Sequence, residues 1–500
     1  MTDHEAGRNV KRCFACRRML VLYVLVAASG CAEDQSSLPL SQPWVAPATQ
    51  PAASLKVDAS QIRPMYDHRL LAVDLPTVVR VATARNIDIK EAQESIEASR
   101  GVYESSVGAI FPSLTSNVTA LGIQGAISSS SGFAVAAFTH FFPAAAIEWV
   151  INPGQVAYNV IASKRRLEAS ELQDQAVVLE TTRLAAVQYY DLVLNQAQVS
   201  VAWRAIKEAE ELLRIERLRL KTGTGLPADE LRAEATRAGK QQDLLTALNG
   251  FYDASIALTV TLHLDPTVML VPRTGTMKQA TLIREDLPID DMLITAVHYR
   301  PDMEAVRALL AAAEADKGST TWGGLGPQVQ AKGMLATQPP AGRMVDTEYR
   351  QPIYTTTGGF NWSLATFGRI KSAAANMNIA ALNVDRQLDE VQAAVVTAHQ
   401  ASLIAAKLIP KAKQEVASAE EALRLTQKNL QAGTGLTIDV LQAQDAADQA
   451  RLRYATALVR YNESQINLLA ALGLIDPATV EGRPAPLRML GHSLGPTAPD

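Results

Sequence analysis

A serine near the end of the chain lies in the pattern of a nucleophile elbow. The stretch GHSLG, residues 491–495, has the Gly-x-Ser-x-Gly spacing that exposes a serine on a sharp turn between a strand and a helix. In that fold the acid and the histidine of the triad follow the serine. Seven residues follow Ser493, none of them is a histidine, and no strand-like segment precedes it. The sequence therefore argues against an esterase, and we predict no enzyme.

Other residues that could bind a cofactor also lack a usable arrangement. The seven histidines are scattered without a metal-ligand spacing, and we interpret His298 as a structural residue beside a helix. Two Gly-Thr-Gly segments, residues 223–225 and 433–435, lack the Gly-Lys-Ser/Thr of a phosphate loop and a preceding strand. Three cysteines cannot form a disulfide framework, and a net charge of −4 gives no nucleic-acid footprint. We predict no cofactor, no metal and no nucleic-acid partner.

The Gly-Thr-Gly segments instead belong to a long internal repeat. KTGTGLPADELRAEATR begins at Lys221 and QAGTGLTIDVLQAQDAA begins at Gln431, an offset of 435 − 225 = 210 residues. A single register without gaps matches residues 211–264 with residues 421–474. An internal duplication explains this match.

Long helices are predicted on the N-terminal side of each segment. Residues 155–222 contain neither glycine nor proline, and as a helix they would extend about 100 Å at about 1.5 Å per residue. Apolar residues recur every seven positions, as in coiled coils, at Ile206, Leu213 and Leu220 and at Val416, Leu423 and Leu430. Gly223 and Gly433 are expected to end a helix, and the next helix to begin near Pro227 or Thr437. Each copy is therefore predicted to form a tight helical hairpin.

Short segments with alternating apolar residues precede the long helices. They cover residues 147–151, 329–335 and 360–364, with a weaker Thr/Val-rich segment from Ser113. Lengths of about ten residues suit strands that cross a bilayer in a barrel. Because four strands cannot close a barrel and open edges are not tolerated in lipid, several chains are expected to pool their strands. Trp149 and Trp362 are expected at the membrane interface.

The N-terminus resembles a bacterial lipoprotein signal. Five basic residues precede the apolar stretch MLVLYVLVA from Met19, which is about half as long as a membrane-spanning helix. The small residues of ASGC then lead to Cys31, which such a signal would acylate. A plain signal peptide with an incidental cysteine is the alternative. Ala32 stands where many inner-membrane lipoproteins have aspartate, which favours the outer membrane, and the Pro- and Ser-rich residues that follow predict an extended tether.

Taken in order, these features resemble those of the TolC-like outer-membrane efflux protein family, and of its acylated branch. The resemblance extends from about Leu70 to Leu474. It rests on the duplication, the two Gly-Thr-Gly hairpins, FPSL from Phe111, RPDMEAVRALLAAAEAD from Arg300 and NWSLATFGR from Asn361. It implies a mainly α-helical chain with a small membrane β part, in which three chains form a 12-stranded β-barrel and a long periplasmic tunnel of helices.

The resemblance also implies where partners bind. The hairpin tips would contact a periplasmic membrane-fusion adaptor, and they comprise Thr222, Gly223, Thr224, Gly225 and Leu226 together with Ala432, Gly433, Thr434, Gly435 and Leu436. In the family, acidic side chains past the second hairpin narrow the entrance, and here Asp439 matches one position whereas Gln442 occupies the other. Leu430 and Gly435 replace the Tyr and Arg that tie the closed entrance, so a different closing network is expected. By its position alone, Asp439 is equally an acid that stabilises a helix N-terminus by about 0.3–1 kcal/mol.

The sequence thus predicts five regions. They are a signal peptide (1–30), an acylated tether (31–69), a first repeat (70–275), a second repeat (285–475) and a Pro/Gly-rich tail (476–500). An apolar loop, residues 125–143, is expected to join the first strand pair.

The predicted function is a passive outer-membrane channel in a homotrimer. It would carry small molecules from an inner-membrane pump, expected to be proton-driven, through the adaptor to the outside. A periplasmic coiled-coil scaffold without a pore is the alternative, and the paired alternating strands favour the channel.

Overall fold

A computed structural model describes most of the two predicted repeats. The described residues are 54–57, 69–129, 132–273, 275–284, 287–337, 350–360 and 363–476. The predicted signal peptide, Cys31, Trp362 and nearly all of the predicted tail lie outside these residues.

The described residues up to Lys278, which include one strand from the predicted tether, form six strands and four helices. In chain order these are β1 (Ser54–Val57), β2 (Arg69–Val73), α1 (Leu75–Arg85), α2 (Ile87–Gly108), β3 (Ser113–Ser129), β4 (Gly132–Ile151), α3 (Pro153–Lys221), α4 (Pro227–Thr261), β5 (Val268–Pro272) and β6 (Gly275–Lys278). The described residues of the second repeat follow as α5 (Ile289–Tyr299), α6 (Pro301–Leu325), β7 (Pro327–Thr337), β8 (Arg350–Phe360), α7 (Leu364–Gln431) and α8 (Thr437–Ala471).

Four strands form one antiparallel sheet in the order β3-β4-β7-β8. The expected length of about ten residues is confirmed for β7 and β8, which have 11 residues each, but it is wrong for β3 and β4, which have 17 and 20. The register of β3 with β4 continues to Ser129↔Gly132, so the segment 125–143 is strand and not a loop, apart from residues 130–131, which are not described. The segment contains four phenylalanines, at positions 133, 138, 141 and 142, and phenylalanine is enriched in strands.

The two outer strands of this sheet leave their outer edges open. Among the described residues, β3 pairs only with β4, and β8 pairs only with β7. Large apolar side chains on these strands are exposed, with Leu114 at 77%, Tyr354 at 81% and Phe360 at 71%. An open edge of unpaired backbone groups with an apolar surface is not stable in lipid unless another strand pairs with it.

Two very long helices connect the sheet to the hairpin tips. α3 has 69 residues and α7 has 68, so each extends about 100 Å. α3 begins with Pro153, and the lack of an N–H costs nothing there, because the first N–H groups of a helix have no partner within the helix. Asn152 caps the helix by accepting a hydrogen bond from Gln155 N at 3.1 Å. α4 packs along the last part of α3, and α8 along the last part of α7. The predicted pair of helical hairpins is therefore confirmed.

A strap, residues 275–284, crosses α8 about midway along the long helices. Its backbone is bound by side chains of α8: Asn462 Oδ1 accepts from Ala280 N at 2.9 Å, and Gln465 Oε1 accepts from Leu282 N at 3.0 Å and from Ile283 N at 2.9 Å. Gln465 is fully buried and donates to Ser402 Oγ of α7 at 2.7 Å. The strap thus fixes the junction of the two repeats to the second hairpin.

Candidate functional site

The two hairpin tips have the same backbone hydrogen bonds. In the first tip, Arg219 O accepts from Thr224 N at 2.9 Å and Leu220 O accepts from Gly223 N at 3.1 Å. In the second tip, Asn429 O accepts from Thr434 N at 3.0 Å, and the N–H of the glycine again bonds the carbonyl three residues back at 3.1 Å. This pattern is a Schellman motif, and Gly223 and Gly433 have the positive φ angles of 77° and 79° that it requires. The predicted helix ends are confirmed in both copies.

The last glycine of each Gly-Thr-Gly segment is required for a different reason. A Cβ atom at Gly435 would lie 2.9 Å from Leu430 N, and one at Gly225 would lie 2.9 Å from Leu220 N. Those neighbours are backbone atoms of the preceding helix, so they cannot move aside as a flexible side chain would. Both glycines therefore allow the chain to fold back tightly onto the end of the long helix.

Each tip exposes one large apolar side chain. Leu226 is 65% exposed and Leu436 is 64% exposed, and each is the residue just before α4 or α8. Between the hairpins, a buried cluster with members from all four helices includes Leu213, Leu423 and Val440. A buried apolar cluster thus supports the two hairpins, and each tip carries an exposed leucine. An exposed apolar side chain on a rigid support suits contact with another protein.

The two copies differ in the charge just past the tip. In the first copy, Asp229 forms an ion pair with Arg232 at 3.1 Å. The repeat mate of Arg232 is Gln442, which cannot neutralise a carboxylate, and within the described part of the chain no ion pair involves Asp439. Asp439 is also exposed, in the first turn of α8. Among the described residues, the carboxylate of Asp439 in the second hairpin thus forms no ion pair, whereas that of Asp229 in the first is paired.

Above the tips, one arginine of α8 joins three helices. Arg451 is only 8% exposed, and its guanidinium bonds Glu208 of α3 at 3.1 Å, Glu420 of α7 at 3.0 Å and Asp448 of α8 at 3.0 Å. Lys240 of α4 bonds the other oxygen of Asp448 at 3.0 Å. We call these five residues the inter-hairpin ion network. It connects all four helices of the two hairpins.

Burial of these residues disfavours their charged forms. Burial raises the pKa of Asp448, and the hydrogen bond and charge of Lys240 oppose that effect. Lys240 also bonds the exposed Asp445 at 2.8 Å. Removal of Arg451 would leave Glu208 and Glu420 with Arg204 as their cation and Asp448 with Lys240. Arg451 thus connects the second hairpin to α3, and Lys240 connects it to α4.

A second contact between the hairpins lies nearer the tips. Glu216 of α3 is 1% exposed, and its carboxylate accepts from Thr437 Oγ1 of α8 at 3.0 Å and pairs with Arg219 at 3.2 Å. None of these inter-hairpin contacts was singled out from the sequence. The charges of Arg451 and Glu208 look like those of any exposed helix face, and only the fold brings them together from 243 positions apart.

Of the two tryptophans predicted at the membrane interface, Trp149 is among the described residues. Trp149, near the end of β4, is 38% exposed and donates from Nε1 to Ile110 O at 2.8 Å, at the junction between sheet and helices. Within the described ranges no group of three or more metal-ligating side chains is close enough to hold an ion.

The fold of this chain is similar to that of solved outer-membrane proteins. Three solved structures show the similarity: the outer-membrane channel OprN (TM-score 0.69, 19% identity, 86% of this chain and 98% of that chain), a membrane protein from Pseudomonas aeruginosa (0.71, 18%, 84% and 97%) and the Campylobacter jejuni CmeC outer membrane channel (0.71, 16%, 90% and 99%). At these identities the similarity establishes the fold, which is that of the outer-membrane channels.

Sequence comparison finds a family match for one part of the chain. Residues 294–474 match the outer membrane efflux protein family, so the resemblance inferred from the duplication and the Gly-Thr-Gly hairpins is confirmed. That stretch covers most of the second repeat, from α5 to the end of α8. A search of curated proteins found no match.

Proposed function

We propose that this chain is the channel component of a tripartite efflux system in the outer membrane. It is a passive conduit, and three copies form it. The observation that carries the proposal is the four-stranded sheet with two open, apolar edges at one end of helices about 100 Å long. A pore-free scaffold would have no use for that sheet, since its exposed edges are a liability outside a closed barrel.

Further parts of the proposal follow from the resemblance to the family. Cys31 carries the lipid anchor, residues 70–275 and 285–475 act as the two repeats of the tunnel wall, and Trp149 and Trp362 lie at the membrane interface. Both tips contact a periplasmic adaptor, which the exposed Leu226 and Leu436 support. An inner-membrane pump, proton-driven, supplies the energy, and small molecules are the cargo.

The oligomeric state tests this proposal most directly. The full-length protein, extracted from an outer-membrane fraction in mild detergent, is expected to have the mass of three chains and to conduct ions in a planar bilayer. Pooled strands require such an assembly because the described strands of one chain leave two edges of the sheet open. A monomer that is released without detergent once the anchor is removed would contradict the channel and leave the scaffold.

Replacement of Asp439 by Asn is expected to lower the cation preference of single channels, by roughly tenfold if a ring of three carboxylates concentrates cations at the entrance. The matched control is Asp229→Asn in the first hairpin. That carboxylate is paired with Arg232, so the control should leave selectivity unchanged. Equal selectivity of the Asp439→Asn variant and the wild type would leave Asp439 only its role at the N-terminus of α8.

A further inference from the structure

We propose that the outer part of the β3–β4 hairpin forms an apolar section of the channel lumen, which hinders hydrated ions and favours cargo with apolar surface. This role rests on the proposed function, because it requires a pore formed by several copies of the chain. Its basis is the register of the sheet together with the residue types along one face.

The β3–β4 hairpin extends beyond the rest of the sheet. β4 pairs with β7 from residue 144 to residue 151, and residues 132–143 pair only with β3 among the described strands. At about 3.4 Å per residue, this two-stranded part is about 40 Å long. It is remote from the helices, because α2 ends before Ser113 and α3 begins after Ile151. In the proposed channel the helices are periplasmic, so the two-stranded part lies at the outer end.

The four-stranded part of the sheet has one polar and one apolar face. On the polar face, Glu148 pairs with Lys332 at 3.8 Å and accepts from Gln330 Nε2 at 2.8 Å. The other polar residues of this face are Ser113, Thr115, Asn117, Thr355 and Thr357. The opposite face carries Leu114, Ile147, Trp149 and Tyr354. Because the lipid side of a membrane barrel is apolar and its lumen polar, the face of Glu148 is the lumen face.

The lumen face changes character toward the outer end. The register of β3 with β4 is unbroken from Ser113↔Glu148 to Ser129↔Gly132, so alternate residues stay on one face throughout. Beyond Asn117, the positions of the lumen face hold mostly apolar cross-strand pairs, namely Thr119↔Phe142, Leu121↔His140, Ile123↔Phe138, Gly125↔Ala136 and Ile127↔Ala134. The opposite face of the same stretch mixes apolar positions with Gln124, Ser128 and Thr139. The polar lining of the lumen thus gives way to an apolar one.

No formal charge interrupts the apolar section. Residues 113–147 contain no Asp, Glu, Lys or Arg, and His140 is the one titratable residue among them. An ion that leaves water for apolar surroundings loses its hydration, and hydrophobic constrictions in channels hinder ions in this way. Three copies of the chain place three such sections around one lumen. Cargo with apolar surface loses little hydration there, so it passes more easily than an ion.

Block of the channel by tetraalkylammonium ions tests the apolar section. The ions from tetramethylammonium to tetrabutylammonium carry the same charge and differ in apolar surface, so attraction to carboxylates such as Asp439 is the same along the series. The blocker is added on the outer side of trimers in a planar bilayer. Block of the wild type is expected to strengthen with alkyl length, by up to about fourfold for each methylene group that becomes buried.

Two phenylalanines of β4 provide a matched pair of variants. Phe138→Ser changes a position on the lumen face, and Phe141→Ser makes the same change on the opposite face. Phe138→Ser is expected to lose most of the dependence on alkyl length and to raise the ion conductance several-fold. Phe141→Ser should match the wild type in both. If Phe138→Ser does not assemble, Ile123→Thr gives the same test at its cross-strand partner with a residue that suits strands.

Three results would overturn the inference and leave the channel function in place. They are block of the wild type that does not depend on alkyl length, an equal effect of the two phenylalanine variants, and loss of the dependence in Phe141→Ser alone, which would put the lumen on the other face. A protein that forms no conducting trimer would instead contradict the proposed function, and the apolar section of the lumen with it.

Discussion

Replacement of Arg451 by Met is expected to lower the free energy of unfolding by about 1–3 kcal/mol, because Glu208, Glu420 and Asp448 lose the buried cation that they share and keep only their bonds to Arg204 and Lys240. Methionine retains much of the length and flexibility of arginine, so the loss reports the charge and its hydrogen bonds more than the packing. Since the arginine bonds three of the four hairpin helices, we also expect the second hairpin to separate from the first. Single channels of this variant should then open more often without an adaptor.

The chain offers a close control for this variant. Arg453 lies two residues further along α8, pairs with Glu415 and is 62% exposed at its side chain. An exposed ion pair contributes about 0–1 kcal/mol, so Arg453→Met should change stability little. Thermal unfolding of both trimers at low and high salt distinguishes the two positions. Equal stability of the two variants would show that the inter-hairpin ion network does not hold the hairpins together.

Replacement of Gln465 by Leu is expected to lower the free energy of unfolding by roughly 3 kcal/mol and to release the strap. The change leaves the backbone N–H groups of Leu282 and Ile283 and the hydroxyl of Ser402 without their partner. Each buried group that loses its hydrogen bond costs about 1–3 kcal/mol. Leucine fills a similar volume, so the loss is one of hydrogen bonds and not of packing.

Limited proteolysis measures release of the strap directly. Trypsin can cleave after Lys278 and Arg284, and we expect cleavage there to be several-fold faster in Gln465→Leu. Gln449→Leu, at an exposed position of the same helix, should leave the cleavage rate unchanged. Wild-type cleavage kinetics in Gln465→Leu would mean that the remaining bonds, such as Asn462 to Ala280, are sufficient to hold the strap.

Local signals in the sequence predicted the hairpins. Gly223 and Gly433 end their helices because a left-handed residue is needed there, and this requirement can be recognised without knowledge of the rest of the fold. The absence of glycine and proline from residues 155–222 likewise predicted a helix of about the observed length. The duplication then transferred both inferences to the second copy.

Contacts between distant segments could not be predicted in the same way. Arg451 and Glu208 are 243 residues apart, and neither differs in type from the exposed charges around it. Gln465 and the strap are 182 and 183 residues apart, and a buried glutamine has no sequence signature. The full length of β3 and β4 was missed because apolar residues in 125–143 are equally compatible with a buried loop and with a strand. In each case the contact depends on a distant partner, which the residue and its sequence neighbours do not indicate.

A single proline makes the two long helices mechanically different. Pro410 lies inside α7, where it has no N–H to donate to the carbonyl of Ala406, whereas its repeat mate in α3 is Ser200. The hydrogen-bond ladder of α7 is therefore interrupted about two-thirds of the way along its length, whereas α3 has no proline after its first residue. Bending is easiest at such an interruption. The duplication has thus produced two long helices of unequal stiffness, and α7, which contains Pro410, is the one that bends more easily. The tip at the end of α7 leads to Asp439, whose carboxylate forms no ion pair with the described residues.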